Sequence, residues 1–325
     1  VIQQLPIRDR ETWLRWRSCD LTASDIPAVA GIHPHKSAAR VYAEKTGLLK
    51  ESGISDFLEF RLALEGAAYD YLRMRKPHWK LKRPYVYLRD PAVRMGATPD
   101  VIAIDPQRPG LGIIQIKSVV SWVFEREWRE LEDENGQPRW EAPQYNQIQT
   151  LTEAMLANAS WAMVAGLVLD PGGSGRLVLA EIKRHAGAEQ KIRRIVAEFW
   201  RNIAAKRMPD PNYAQDADIV SAMHPKELYP EPPLDLTGDN MLPSLLAERQ
   251  ELKRQERTAK KRLEEIDAEI KHKVGDHACA TLPGWAISLK TQRREEFLMP
   301  AWEGRVLRVR VTKVTQQGDQ SNASD

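Results

Sequence analysis

Between Met95 and Ser118 the chain reads MGATPDVIAIDPQRPGLGIIQIKS, a stretch whose residue types and spacing could do chemistry. Asp100 closes a Gly-Ala-Thr-Pro turn and opens an apolar run, Val101 to Ile104. A Pro/Gly turn follows, then a second run, Ile113 to Ile116, carrying Gln115 and Lys117. Two short β-rich runs joined by a turn predict a hairpin. Alternate residues of a strand share a face, so Gln115 and Lys117 point one way while Ile114 and Ile116 turn into a core. Asp100, at the start of the neighbouring strand, then lies beside them. A carboxylate, a side-chain carbonyl and a lysine on one sheet edge suit a hard divalent cation and a phosphate.

Other segments must position this hairpin. Residues 9–18, with Trp13, Leu14 and Trp16 among charges, predict a short helix ending near Arg17. In LTASDIPAVAGI, Ser24 makes an N-cap with Asp25 and Pro27 in the first turn. A helix N-terminus also offers free N–H groups to an anion, so Ser24 with Arg17 could hold a phosphate as well as cap. A helix from Ser37 to Thr46, closed by Gly47, comes next, after His33 and His35 in a loop expected to face solvent. A longer helix, Ser55 to Arg75, carries a stripe of Phe57, Leu58, Leu62, Leu64, Ala68, Tyr69 and Leu72. Glu65 lies among small residues of that helix, either solvated or turned toward the metal position.

LKRPYVYLRD predicts a strand ending at Asp90, and residues 121–142 an amphipathic helix running into an acidic turn, with Trp122, Phe124 and Trp128 on its apolar side. From Pro143 a helix carries Gln144, Gln147 and Gln149 in its first turns, one of which could face the site. A strand pair around PGGSG and a long helix from Ala188 to Lys206 complete the main domain. Residues 209–243 are rich in proline and acids and predict a linker. In residues 244–274, Leu245, Leu252, Ala259 and Ile266 recur at steps of seven, with Leu263 and Ile270 on a second row, a coiled-coil-like stripe. Residues 275–316 alternate like a small β-rich unit, and 317–325 form a disordered tail.

At 325 residues, 42% apolar and 29% charged, the chain has the composition of an ordinary globular protein. No apolar run reaches membrane-spanning length, and VIQQLPIRDRE lacks the apolar region of a signal peptide, so no membrane association and a cytoplasmic location are expected. Cys19 and Cys279 fit no metal spacing and are read as reduced structural thiols. The net charge of +3 says little about a partner, but Arg73, Arg75, Lys76, Lys80, Lys82 and Arg83 crowd one short stretch.

Pro99-Asp100 followed by Gln115-Ile116-Lys117 resembles the signature of the PD-(D/E)xK nuclease superfamily, with Gln115 where an acid is expected. From Trp13 to Phe199 the pieces further resemble the phage lambda exonuclease group, the YqaJ-type viral recombinases. The resemblance implies an α/β fold: a mixed central sheet flanked by helices in residues 1–208, with an acidic metal cleft and a basic rim. It also implies a metal-dependent 5′→3′ double-strand DNA exonuclease that leaves 3′ overhangs. Asp100, Gln115, the backbone carbonyl of Ile116 and Glu65 would hold two ions of Mg²⁺ or Mn²⁺, and Lys117 would act on the attacking water. Arg17, Ser24, Thr98 and Gln147 would contact substrate phosphate, and Asp90 takes the place of another family acid. The implied partners are double-stranded DNA ends, a single-strand annealing recombinase and further copies of the chain in a ring, such as a trimer.

An amide at 115 offers a metal its oxygen but no charge, so affinity should fall while shape hardly changes. Either Gln115 is an inactivating replacement that traps substrate, or it is a natural variant with altered metal use; the intact remaining site residues favour the first. A DNA-end-binding module without catalysis and a structure-specific endonuclease are the competing functions.

Overall fold

The computed structural model describes residues 1–49, 56–132, 136–229 and 231–293 and divides into two units, Val1–His224 and Pro225–Asp325. In the first, β1 (Gln3–Pro6) leads to α1 (Arg10–Cys19), whose N-cap Asp9 accepts from the Thr12 N–H at 2.7 Å. β2 (Leu21–Thr22) and the single-turn α2 (Ile26–Val29) follow. Ser24 does not cap α2: Asp25 holds the cap position, without a side-chain cap bond, because the Ser24 hydroxyl is engaged by Thr22 and Arg17. α3 (Ala38–Thr46) is capped by Ser37 and closed by Gly47 at φ 76°, a left-handed conformation that glycine adopts without strain. α4 (Asp56–Arg75) has Ala68 and Leu72 buried, but Leu62 of the expected stripe is exposed.

LKRPYVYLRD is not one strand. It is split into β3 (Lys80–Lys82) and β4 (Val86–Asp90), which belong to different sheets. Pro84 lacks an N–H and Tyr85 takes a positive φ of 46°, so ladder pairing breaks there. β5 (Met95–Ala97), β6 (Val101–Ile104) and β7 (Gly112–Val120) complete the motif region. The helix expected over 121–142 stops early, as α5 (Ser121–Glu127), and β8 (Arg129–Glu132) pairs with β9 (Pro138–Glu141) as a hairpin. Phe124 and Trp128 are buried as expected, whereas Trp122 is 61% exposed, under Arg126. α6 (Gln144–Ala157), β10 (Trp161–Leu169), β11 (Gly175–Ile182), α7 (Ala186–Ala204) and α8 (Ala217–Met223) follow.

The main sheet runs β11-β10-β7-β6-β3, with β7 and β10 parallel and the other pairs antiparallel. A second sheet runs β1-β4-β5-β2. This is a mixed α/β fold with helices against both faces of the main sheet. Ile114 and Ile116 join Met163, Ala165 and Leu72 in one core, and Ile113 joins Val164, Leu151 and Val196 in another. A strand buried on both faces cannot show the clean alternation of a half-exposed one, hence the near-continuous run GIIQI. β3 forms the sheet edge, where Lys80 and Lys82 are exposed; charges there discourage further strand pairing, a structural use for part of the basic stretch.

The first unit runs past residue 208. Ile219 of α8 is fully buried against Ala39 and Ala43 of α3, which takes the start of the expected linker into the folded unit. In the second unit, α9 (Leu242–Val274) precedes a hairpin of β12 (Cys279–Leu282) and β13 (Trp285–Ser288). The strand expected over 304–313 and the tail over 317–325 lie outside the described residues. Cys19 and Cys279 are free thiols, as expected, but exposed rather than packed in a core.

Candidate functional site

The β6-β7 ladder sets Val101 opposite Ile114, which brings Asp100 level with Gln115. Asp100 Oδ2 accepts from the Ile116 N–H at 2.8 Å and from Gln115 Nε2 at 2.5 Å. The same Nε2 lies 3.5 Å from the Ile116 carbonyl oxygen, while Gln115 Oε1, buried, has no hydrogen-bond partner. The amide N–H₂ therefore fills the space between two oxygens that a cation would bridge. Burial, and then the negative charge of Glu65, push the Asp100 carboxyl up to about 7, against the pull of Lys117. Glu65 is itself paired with Arg83.

Lys117, on the same face of β7 as Gln115, donates from Nζ to Gln149 Oε1 at 2.8 Å. Gln149 Nε2 in turn donates to Glu153 Oε1 at 3.0 Å, one helical turn further along α6. Burial holds the Lys117 ammonium below its ordinary value despite Asp100 and Glu153, and burial with the Asp100 charge raises Glu153 well above its own. A lysine whose proton is loosened in this way suits proton transfer or the neutralisation of developing charge.

A second network lies upstream. Arg17 Nη2 donates to Ser24 Oγ at 3.4 Å, and the guanidinium sits 4.6 Å from the centre of the Trp13 ring. Trp13 Nε1 donates to Thr98 Oγ1 at 2.9 Å, which ties this corner to the turn before Asp100. Beneath it, Asp25 binds Lys36 at 2.9 Å and Lys45 at 3.1 Å and accepts from the Thr22 hydroxyl at 2.7 Å. Burial opposes the Asp25 charge, but Lys36, Lys45 and Arg17 overcome it and hold the carboxyl far below the usual range. Arg17, Ser24 and Thr98 thus meet as a cation beside two hydroxyls, a set that can grip a phosphate.

Gln147 and Asp90 go elsewhere. Residues two apart on a helix point roughly 200° apart. Gln149 therefore meets Lys117, while Gln147 donates to the Ala142 carbonyl at 2.6 Å and lines a separate cavity of about 640 Å³ with Arg139 and His185. Asp90 accepts from the Ala92 N–H at 3.2 Å and pairs with Arg193 of α7 at 3.4 Å.

A cleft of about 510 Å³ opens over Lys117 and Gln149 and includes Ser24, His33, Arg61 and Tyr145. His33, expected to face solvent, is half-buried at 5.3 Å from the Tyr145 ring, and burial with the nearby His35 lowers its pKa. The sequence reasoning missed Gln149, Glu153 and His33 as members of this cleft. The four-residue step from Gln149 to Glu153 was the available signal, since it puts both on one helix face.

Among the described residues no three His, Cys, Asp or Glu side chains are grouped as metal ligands. The oxygens of Asp100, the Ile116 carbonyl and the unpartnered Gln115 Oε1 nevertheless fit a hard cation once the amide turns over. They supply one carboxylate charge, at the low end of what Mg²⁺ uses.

No family model and no curated protein matches the chain. Among solved structures it is similar to LHK-Exo, an alkaline exonuclease from Laribacter hongkongensis, in complex with dAMP: 17% identity over 65% of this chain and 98% of that one, TM-score 0.45. It is also similar to SOX in a SOX-DNA complex, with 11% identity, 63% and 71% coverage and TM-score 0.40. The Shutoff and Exonuclease Protein of Kaposi's sarcoma-associated herpesvirus matches at 10% identity, 59% and 68% coverage and TM-score 0.35. At these scores the chemistry rests on the side chains of this chain. No helix among the described residues is long and apolar enough to cross a membrane.

Proposed function

We propose that the chain is a metal-dependent DNA exonuclease of the phage lambda exonuclease type, digesting one strand of duplex DNA from its 5′ end and leaving 3′ overhangs for recombination. The observation that carries this reading is the joining of two networks. The Asp100–Gln115–Lys117 centre is tied through Thr98 and Trp13 to the Arg17–Ser24 pair. A terminal phosphate held at the pair would set the polarity of digestion, and the next phosphodiester would reach the centre. Asp100, Gln115 and the Ile116 carbonyl would hold one Mg²⁺ or Mn²⁺, and Glu65, released from Arg83, would help hold a second. Bound ions supply charge neutralisation and an activated water at the scissile phosphate.

Lys117 orients that water and stabilises the charge developing on the phosphoryl oxygens, and Gln149 fixes the ammonium. Arg17 and Ser24 keep the strand in register. With one carboxylate fewer than the motif provides, Gln115 lowers metal affinity and rate. Partner double-stranded DNA, a single-strand annealing protein and homo-oligomerisation belong to this reading, and the exposed apolar seam of α9 supports a role in protein association.

The test is degradation of linear duplex with and without a 5′ phosphate, by this chain and by Gln115→Glu, with covalently closed circles alongside. Faster release of nucleotides by the Glu form from 5′-phosphorylated linear DNA, and none from circles, is expected. Cutting of circles would instead identify an endonuclease. The Gln115–Asp100 hydrogen bond favours a second reading, an end-binding module whose metal position is closed by an amide. Binding of DNA ends with no cleavage by either form would establish it.

A further inference from the structure

Glu153 has no task in the reading above, yet it is only 1% exposed and sits within α6 among Leu151, Ala154, Met155 and Leu156. Apolar residues fill such helix positions at no electrostatic cost, whereas a buried carboxylate needs partners for its oxygens. Glu153 Oε1 has one, the Gln149 amide at 3.0 Å, while Oε2 has none. A purely packed role leaves that oxygen unexplained.

The second unpartnered oxygen of the cleft is Gln115 Oε1, on a side chain 5% exposed. The two flank the Asp100–Lys117 pair: Gln115 touches Asp100 directly, and Glu153 reaches Lys117 through Gln149. Charges on Asp100, Lys117 and Glu153 act on one another. Two buried oxygens without donors beside a buried carboxylate make a set that a hard cation completes and a hydrogen-bond donor does not.

We propose that Glu153, from helix α6, supplies the second carboxylate of the divalent-cation site, the charge that strand β7 lacks at Gln115. Carboxylate charge thereby rises from one to two without an acid at position 115, and Gln115 serves as a neutral oxygen donor. The inference rests on Asp100 being a metal-holding residue, as in the function proposed above.

The experiment is Mn²⁺ binding to the metal-free full chain without DNA, followed by electron paramagnetic resonance and calorimetry. The chain is compared with Glu153→Gln, with Gln115→Glu, and with the double variant Glu153→Gln/Gln115→Glu; circular dichroism melting checks each fold. Expected are a dissociation constant raised about tenfold or more by Glu153→Gln and recovery in the double variant, where the carboxylate count is restored. Equal binding by the chain and Glu153→Gln would overturn the proposal. So would a folded double variant as weak as the single one, since Glu153 would then act through packing. Binding by Gln115→Glu with none by the parent chain overturns Glu153 as a ligand and leaves the nuclease reading standing. No binding by any form overturns both.

Discussion

Asp25 is the residue whose electrostatics are most one-sided, since two lysines bind a carboxylate that water barely reaches. Asp25→Asn would leave Lys36 and Lys45 partly buried without their counter-charge, and is expected to cost about 3–5 kcal/mol in denaturant unfolding. The sign of the pH effect follows from the lowered pKa. The contribution is present above the unfolded value of about 3.9 and is lost as pH falls toward the folded one. Acid unfolding of the parent should therefore contain a limb below about pH 4 that Asp25→Asn lacks. At Gln115 the opposite logic holds. Gln115→Glu replaces an N–H donor to Asp100 with a second carboxylate, so the metal-free protein should lose about 1–3 kcal/mol. Mn²⁺ should return that loss, and unfolding in chelator against unfolding in Mn²⁺ measures both.

At the scale of elements, β5 couples the two networks. Gly96 of β5 accepts from the Ala23 N–H at 2.8 Å on one side, and Tyr87 packs across it where a Cβ would go. The Tyr87 hydroxyl donates to Asp20 at 3.2 Å, so the ring cannot swing away freely. Gly96→Ala should destabilise the fold by about 1–3 kcal/mol through overpacking. It should also weaken preference for a 5′-phosphorylated end, because Ser24 and Thr98 lie on either side of this strand; rates on phosphorylated and unphosphorylated duplex measure that. α6 couples the two halves of the centre differently. Its one face gives Gln149 to Lys117 and Glu153 to the buried space behind, and its other gives Gln147 to a separate cavity.

For the whole molecule, the candidate site residues from Arg17 to Glu153 all fall in the unit Val1–His224. A chain cut after His224 is expected to unfold cooperatively and to keep Mn²⁺ and DNA-end binding, measured by denaturation, calorimetry and gel shift. A cut at 208 should fare worse, because Ile219 of α8 is part of the core over α3. In the second unit, Leu252 and Leu263 of α9 are 56% and 60% exposed along the heptad seam. The double change Leu252→Glu/Leu263→Glu should reduce self-association in sedimentation while leaving Mn²⁺ binding unchanged.

The sequence by itself determined the local pieces. Asp9, Ser37 and Gly47 announce helix ends through their own hydrogen bonds and dihedrals, and the GATPD and QIK runs announce a hairpin through period and turn chemistry. Such signals are written within a few residues, so they survive without the rest of the chain. Only the tertiary structure decided which of Gln147 and Gln149 meets Lys117, since that depends on the rotation of α6 against β7. The split at Pro84, which sends β3 and β4 to different sheets, and the burial of α8 were likewise settled by packing between segments far apart in sequence. Glu153 shows the limit most clearly. On its helix it reads as one more solvated acid, and its meaning comes from Asp100 and Lys117, which approach it only when the sheet and the helix close on each other.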